Sequence, residues 1–301
     1  MQAPPTMPAA ASASVDTLTE LSVDDLLDAF GLLRLRGTPL RRLFSPPARR
    51  FARTAHEFDT RVGEQGLAQG SAWLMGRMTG GIAVSGLENV PLQGPAVILS
   101  NHPGMTDTTA LFTSLACRPD LRVIAADRPF LRALPKVARQ LIFLPDEHDG
   151  GRMAVIRAAA RHLQDGGTLL TFPAGEIEPD PATFGATRAA ASLSTWSASY
   201  ALFARLAPRT RFVPALVSHV ISPAAQTHPL TLLRRTTHNK EKLAAALQVA
   251  LPRYRNTVVR VAFAEPVGVE AGEAAALVSA VAARMRELIA TAQPLTPTTS
   301  R

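Results

Sequence analysis

The residues best suited to chemistry stand in the stretch AVILSNHPGMTD, residues 96–107. It holds a histidine, His102, and an aspartate, Asp107, five positions on. A neutral imidazole is the side chain best matched to general-base work near neutral pH. A carboxylate bonded to its other ring nitrogen fixes the tautomer and stabilises the imidazolium that forms. On a continuous helix, residues five apart point about 140° away from each other, at about 100° per residue. The Pro103-Gly104 turn between them is what would let the two side chains meet. The apolar run Ala96–Leu99 reads as a strand and Thr106 as the N-cap of a following helix. His102 is therefore expected just past the carboxyl end of a strand, and Asp107 in the first turn of the next helix. The chain has no G-x-S-x-G elbow, and nothing around Cys117 marks it as an activated thiol. The nucleophile is expected to come from the substrate, as a hydroxyl or an amine.

Two further segments can line such a site. In TLLTFPAGEIEPD, residues 168–180, a strand ends at Phe172 and Pro173, Gly175 permits close approach of backbone to ligand, and Glu176 and Glu178 follow. In RFVPALVSHV, residues 211–220, Pro214 interrupts a strand and suggests an edge or a bend. The remaining histidines (His56, His148, His162, His219, His228, His238) show no metal-ligand spacing and read as surface or core residues. No metal or cofactor is expected.

These segments need a frame, and the rest of the chain supplies its outline. Residues 1–16, rich in Ala, Pro and Ser, read as disordered, as does the tail 293–301. Residues 17–80 read as a helical region: a helix over 21–35 with Ser22 as N-cap, then a second helix or pair over 51–78, ended by Gly80-Gly81. Between them, LRLRGTPLRRLFSPPARRFAR sets seven Arg among Leu and Phe, the composition of an interfacial anchor. The bland alternative is a solvated helix face broken at Pro46-Pro47. From residue 81 to 292, short apolar runs alternate with amphipathic stretches, including a helix over 129–139 and a closing helix over 271–292. That alternation predicts an α/β fold, with a mixed, largely parallel sheet flanked by helices. Its active site would lie beyond the carboxyl ends of the strands.

Composition narrows the partners. The excess of 32 Lys+Arg over 24 Asp+Glu, a net charge of +8, favours polyanions such as lipid headgroups or phosphorylated substrates. Aromatic residues make up 5%, with no basic-aromatic interleaving of the kind single-strand binders use, so nucleic acid is not expected. A single cysteine excludes an intrachain disulfide and fits a reducing compartment. The N-terminus has no basic region leading into an apolar core, and no apolar run approaches the ~18–20 residues of a spanning helix. The expected location is cytoplasmic, peripheral on the inner face of a membrane.

Together the three segments resemble the glycerolipid acyltransferase family, which includes lysophosphatidic acid acyltransferases. NHPGMTD matches the family's N-H-x4-D block at Asn101, His102 and Asp107; FPAGEIE stands in place of the F-P-E-G-T-R block, and FVPALV in place of the V-P-V block. The resemblance runs from about Val84 to Val267. It implies transfer of an acyl group from acyl-CoA or acyl-carrier protein to a lyso-lipid acceptor at an anionic membrane surface. His102 would be the base and Asp107 its orienting partner, with Asn101, Gly104, Arg152, Phe172, Pro173, Gly175 and Glu176 around the substrates. Backbone N–H groups near Gly104 or Gly175 are the candidate oxyanion donors. Departures matter: the family's Glu is Ala174 here, its third-block Arg is Ile177, and Pro145 and Asp146 stand where an Asp-Arg pair is usual. Arg152, several residues on, is the candidate replacement cation. The missing arginines weigh against a glycerol-phosphate acceptor and toward a phosphate-free one. A hydrolase using His102 to activate water, and a non-catalytic lipid- or carrier-binding protein on the same fold, are the rival readings.

Overall fold

The computed structural model describes residues 14–145, 151–268 and 274–292. Seven strands form one sheet: β1 (Gly81–Ser85), β2 (Ala96–Ser100), β3 (Arg122–Ala126), β4 (Leu141–Leu144), β5 (Thr168–Thr171), β6 (Arg211–Ser218) and β7 (Val258–Phe263). Their order is β1-β7-β6-β2-β5-β3-β4, parallel throughout except between β6 and β7. The sheet is mixed and largely parallel, with helices on both faces.

The two-residue period of a strand sorts the side chains of β2 between those faces. Ile98 joins one apolar cluster with Leu111, Leu115, Val213 and Val217; Val97 and Leu99 join the other with Leu163, Phe212, Leu277 and Val281. β2 is buried along its whole length, and so is almost all of β6 beside it. The loops that leave their carboxyl ends therefore start from a fully packed part of the core.

β6 departs from expectation at Pro214, since it is an internal strand and runs unbroken through the proline. Ala215 pairs with Phe263 while Phe212 pairs with Val267, so the partner carries one extra residue across that interval. Pro214 sits opposite this bulge, where a missing N–H costs no ladder bond, and its carbonyl accepts from Ala264.

The helical region also differs in its boundaries. The first helix, α1 (Val15–Ala29), is capped by Ser14, whose hydroxyl accepts from Thr17 N–H at 3.2 Å. The expected N-cap Ser22 is instead inside the helix, bonded back to the Leu18 carbonyl at 2.8 Å. Residues 15 and 16, expected to be disordered, are its first turn. Gly31, at φ +64°, ends it well short of residue 35.

Pro46-Pro47 starts rather than breaks the next helix, α2 (Ser45–Gln65), because proline is preorganised for the first helical turn. Gly66, at φ +88°, separates it from α3 (Leu67–Met78). Leu18, Ala52, Phe58 and Val62 pack on Leu134 and Val137. The buried Asp59 accepts from the N–H groups of Lys136 and Val137 at 2.8 and 2.9 Å, fastening α2 to the sheet domain. The helix expected over 129–139 is two short ones, Pro129–Arg132 and Pro135–Ala138, divided at Pro135.

Candidate active site

Past β2 the chain turns at Asn101, His102, Pro103 and Gly104 and enters α4 (Asp107–Ser114). Asn101 is buried, and its side-chain amide both donates to the Val217 carbonyl (2.9 Å) and accepts from the Val217 N–H (2.8 Å). The side chain thus extends the β2–β6 ladder after the backbone has left it. The residue reads as a structural clamp that aims the loop.

His102 Nδ1 donates to Asp107 Oδ2 at 2.7 Å. The same oxygen accepts from Gly104 N–H at 2.9 Å, while Oδ1 accepts from the backbone N–H and the hydroxyl of Thr108. Asp107 has no exposed surface, so its carboxylate end of each of these bonds is buried. The carboxylate performs the helix-capping role expected of Thr106, whose hydroxyl makes no cap bond. With Nδ1 engaged by Asp107, Nε2 is the ring nitrogen left over, on a side chain that is 29% exposed. Among the described residues no hydroxyl or thiol is hydrogen-bonded to that nitrogen.

A second carboxylate grips the same loop from the other side. Glu178 is 4% exposed. Its Oε2 accepts from His102 N–H at 3.1 Å, and its own N–H donates to the His102 carbonyl at 2.8 Å. Its Oε1 accepts from Trp196 Nε1 at 2.7 Å and from Ser192 Oγ at 3.1 Å. The histidine's backbone is pinned on both polar groups by one residue.

Burial is the largest influence on the His102 ring and pulls its pKa down. The charge and hydrogen bond of Asp107, with the charge of Glu178, together outweigh it, and the pKa lies above 6.5. Burial likewise pushes the Glu178 carboxyl up, against the bonds from Trp196, Ser192 and His102.

Asp180, two residues beyond Glu178, supports the floor. It accepts from the N–H groups of Ala182, His219, Val220 and Ile221. His219 has φ +62°, an uncommon conformation for a residue with a Cβ, and the Asp180 bonds hold it there. A Cβ on Gly104 would come within 3.1 Å of Val220 and 3.2 Å of Ile221, so the elbow after β6 sits directly against the histidine loop.

The other expected site residues divide. The Phe172 ring lies 4.7 Å from the His102 ring, and Pro173 is buried, its carbonyl accepting from Ser197 N–H. Gly175, at φ +68°, makes the turn after β5, as its φ requires. The Gly104 and Gly175 N–H groups, the candidate oxyanion donors, already donate to Asp107 Oδ2 and the Phe172 carbonyl. Glu176 points to solvent, and the buried acid is Glu178 instead. Arg152 opens the helix Arg152–Gln164 beyond β4. β4 lies three strands from β2, roughly 14 Å away at about 4.8 Å per strand. Ile177 is 59% exposed and Met105 54%, so the two site loops present apolar side chains beside His102. Asp146 lies outside the described residues. Among the described residues no three His, Cys, Asp or Glu side chains converge as a metal ion would require.

The sequence model of the family described as Acyltransferase matches residues 81–217, from the first residue of β1 into β6, and so takes in both clamped loops. That stretch is similar to the acyltransferase family over somewhat less than half of the chain. Two uncharacterized proteins, from Mycobacterium bovis and Mycobacterium tuberculosis, are each 34% identical to it over 101 residues, 31% of this chain. The chain spans only 26% of the length of these curated relatives. A crystal structure of the 1-acyl-sn-glycerophosphate acyltransferase PlsC from Thermotoga maritima covers 92% of this chain and 98% of that one, at 19% identity and a TM-score of 0.40. At that distance nothing about substrate carries over. The matched stretch leaves α1, α2, α3 and β7 outside it.

Proposed function

We propose that the protein moves a fatty acyl group from the thioester of acyl-CoA or acyl-carrier protein to a hydroxyl or amine of a lyso-lipid acceptor. His102 Nε2 takes the acceptor's proton as that atom attacks the thioester carbonyl. The tetrahedral intermediate collapses with release of the thiol, which takes up a proton from the imidazolium. Asp107 holds the ring and stabilises its charged form. One observation carries the reading: Nε2 is the unengaged nitrogen of a clamped imidazole, and it has no protein nucleophile bonded to it. A base so placed activates a group the substrate brings.

The surroundings support a lipid acceptor. Ile177, in place of the family's arginine, and Met105 make the mouth apolar, which favours an acceptor whose reacting end is not a phosphate.

A membrane contact on the same edge of the sheet is the companion proposal. The segment between β6 and β7 is on the His102 side, and it exposes Leu232 and Leu233. Arg234 ties it to the Phe30 carbonyl, and Phe30 packs on Phe44, beside exposed Leu40 and Leu43. Apolar side chains flanked by Arg34 and Arg42 suit an anionic lipid surface. Arg36, Arg41 and Arg49 instead pair with acids of α1, which lowers their share of that attraction. No helix among the described residues is long and apolar enough to cross a membrane.

The test is mass-spectrometric detection of product from acyl-CoA or acyl-carrier protein with a panel of lyso-lipids, using the protein and its His102→Ala variant. An acylated product that disappears with His102→Ala supports the reading. Lipid binding with no product from any pair contradicts it and favours a non-catalytic carrier.

A further inference from the structure

Outside the matched domain, α2 and α3 enclose an open cavity of about 350 Å³ lined by Arg49, Arg50, Arg53 and Arg77, with Glu57 and Thr54. The local balance is positive, because Glu57 is taken by Arg61 at 3.0 Å and Asp16 offsets Arg49 alone. Arg77 rests on the Trp73 ring, 4.8 Å from its centroid, which fixes a guanidinium that would otherwise sample many rotamers. Arg255 adds a fifth cation nearby, reaching toward the Arg77 carbonyl. Like charges gathered without matching acids are repulsive, and an anion resolves that. Planar guanidinium groups bind phosphate oxygens in pairs.

The cavity's place in the fold tells which phosphate. β1 and β7 run opposite to β2, so their amino ends lie on the same edge as the carboxyl end of β2. α3 ends just before β1, which brings Arg77 to that edge. Thr109 Oγ1, two residues beyond Asp107, touches Met75 Sδ at 3.3 Å, so α3 packs directly on α4. With neighbouring helices 8–10 Å apart, the space between α2 and α3 is on the order of 15 Å from the catalytic pair. The phosphate of a glycerol-phosphate acceptor sits a few bonds from its reacting hydroxyl and cannot span that gap. The phosphates of a CoA thioester are set off from the reacting carbonyl by the pantetheine arm, whose extended length is comparable.

Resting on the acyl-transfer reading, we infer that the arginine cavity between α2 and α3 binds the phosphate groups of coenzyme A, the diphosphate and the 3′-phosphate, and so docks the acyl donor. A small concave site with converging guanidinium groups suits clustered phosphates better than the single phosphodiester of a carrier protein.

Calorimetric titration of coenzyme A into the full chain tests this without turnover. Arg50 and Arg53 are exposed and form no ion pair among the described residues, so Arg50→Ala/Arg53→Ala should keep the fold. If the double variant unfolds, Arg53→Ala alone carries the same test. The expected result is binding weakened at least tenfold in the double variant and unchanged in His102→Ala, with wild-type affinity falling as salt rises. In turnover, the KM for acyl-CoA should rise while that for the acceptor holds. Equal coenzyme A affinity in wild type and double variant overturns the inference. So does loss of anionic-vesicle binding with coenzyme A binding retained, which would assign the cavity to lipid phosphate. Turnover with acyl-carrier protein and no coenzyme A binding would overturn it while leaving the acyl-transfer reading in place.

Discussion

The two charged regions on the active edge of the sheet are built in opposite ways. Around His102 the charges are carboxylates, buried and saturated with hydrogen bonds: Asp107 holds the ring, Glu178 the loop and Asp180 the elbow beneath. From residue 34 into α2 the charges are mostly arginines, largely exposed, and paired across the surface with acids of α1 where they are paired at all. Buried acceptors on backbone N–H groups give fixed geometry, which proton transfer needs. Exposed cations give long-range attraction with little geometric demand, which suits capture of a large anionic partner. The first arrangement is insensitive to salt and sensitive to single substitutions; the second is the reverse.

Breaking the buried arrangement should cost most. His102→Ala should lower turnover ~10²–10⁴-fold with the fold intact, the usual contribution of a general base, read from initial rates and circular dichroism. Asp180→Ala should lower stability by about 3 kcal/mol, because it leaves buried N–H groups without an acceptor and frees the strained His219 elbow. Thermal or urea unfolding measures that.

Glu178→Gln should have a smaller effect on rate, roughly tenfold, and a diagnostic effect on its pH dependence. With His102 acting as the proposed base, its working form is neutral, so the rate should rise with pH through the ring's pKa, which lies above 6.5. Glu178's charge is one of the influences raising that pKa, so removing it should move the acid limb to lower pH. An unmoved limb would show that Glu178 acts through packing alone. Smallest of all, Arg42→Glu should weaken binding to anionic vesicles by about 1 kcal/mol per charge removed, an effect that added salt erases.

How much of this was legible in the sequence follows from how far apart the partners are. Asn101, His102 and Asp107 share one turn, and the local Pro-Gly reversal was enough to bring the pair together. Glu178 finds its partner 76 residues away and Asp180 about 40, so nothing near them in the chain distinguishes them from the exposed Glu176. The one local signal was the spacing of two acids across Pro179 in an extended segment. Pro214 reads as an edge because the bulge that accommodates it is a property of the pairing strand. Ser22 has the chemistry of a cap, but the helix had already begun at Ser14, where the hydrophobic spacing is weaker. The sheet was readable throughout because each buried strand is a compact apolar run.

The most direct measurement is thioester consumption against acceptor concentration, followed as free thiol released, for the wild type and His102→Ala. The account predicts negligible release without acceptor, release that rises with lyso-lipid and matches the acylated product mole for mole, and neither in the variant. Thiol released at full rate with no acceptor would make water the nucleophile and the protein a hydrolase. Full turnover by a folded His102→Ala protein would remove His102 from the mechanism.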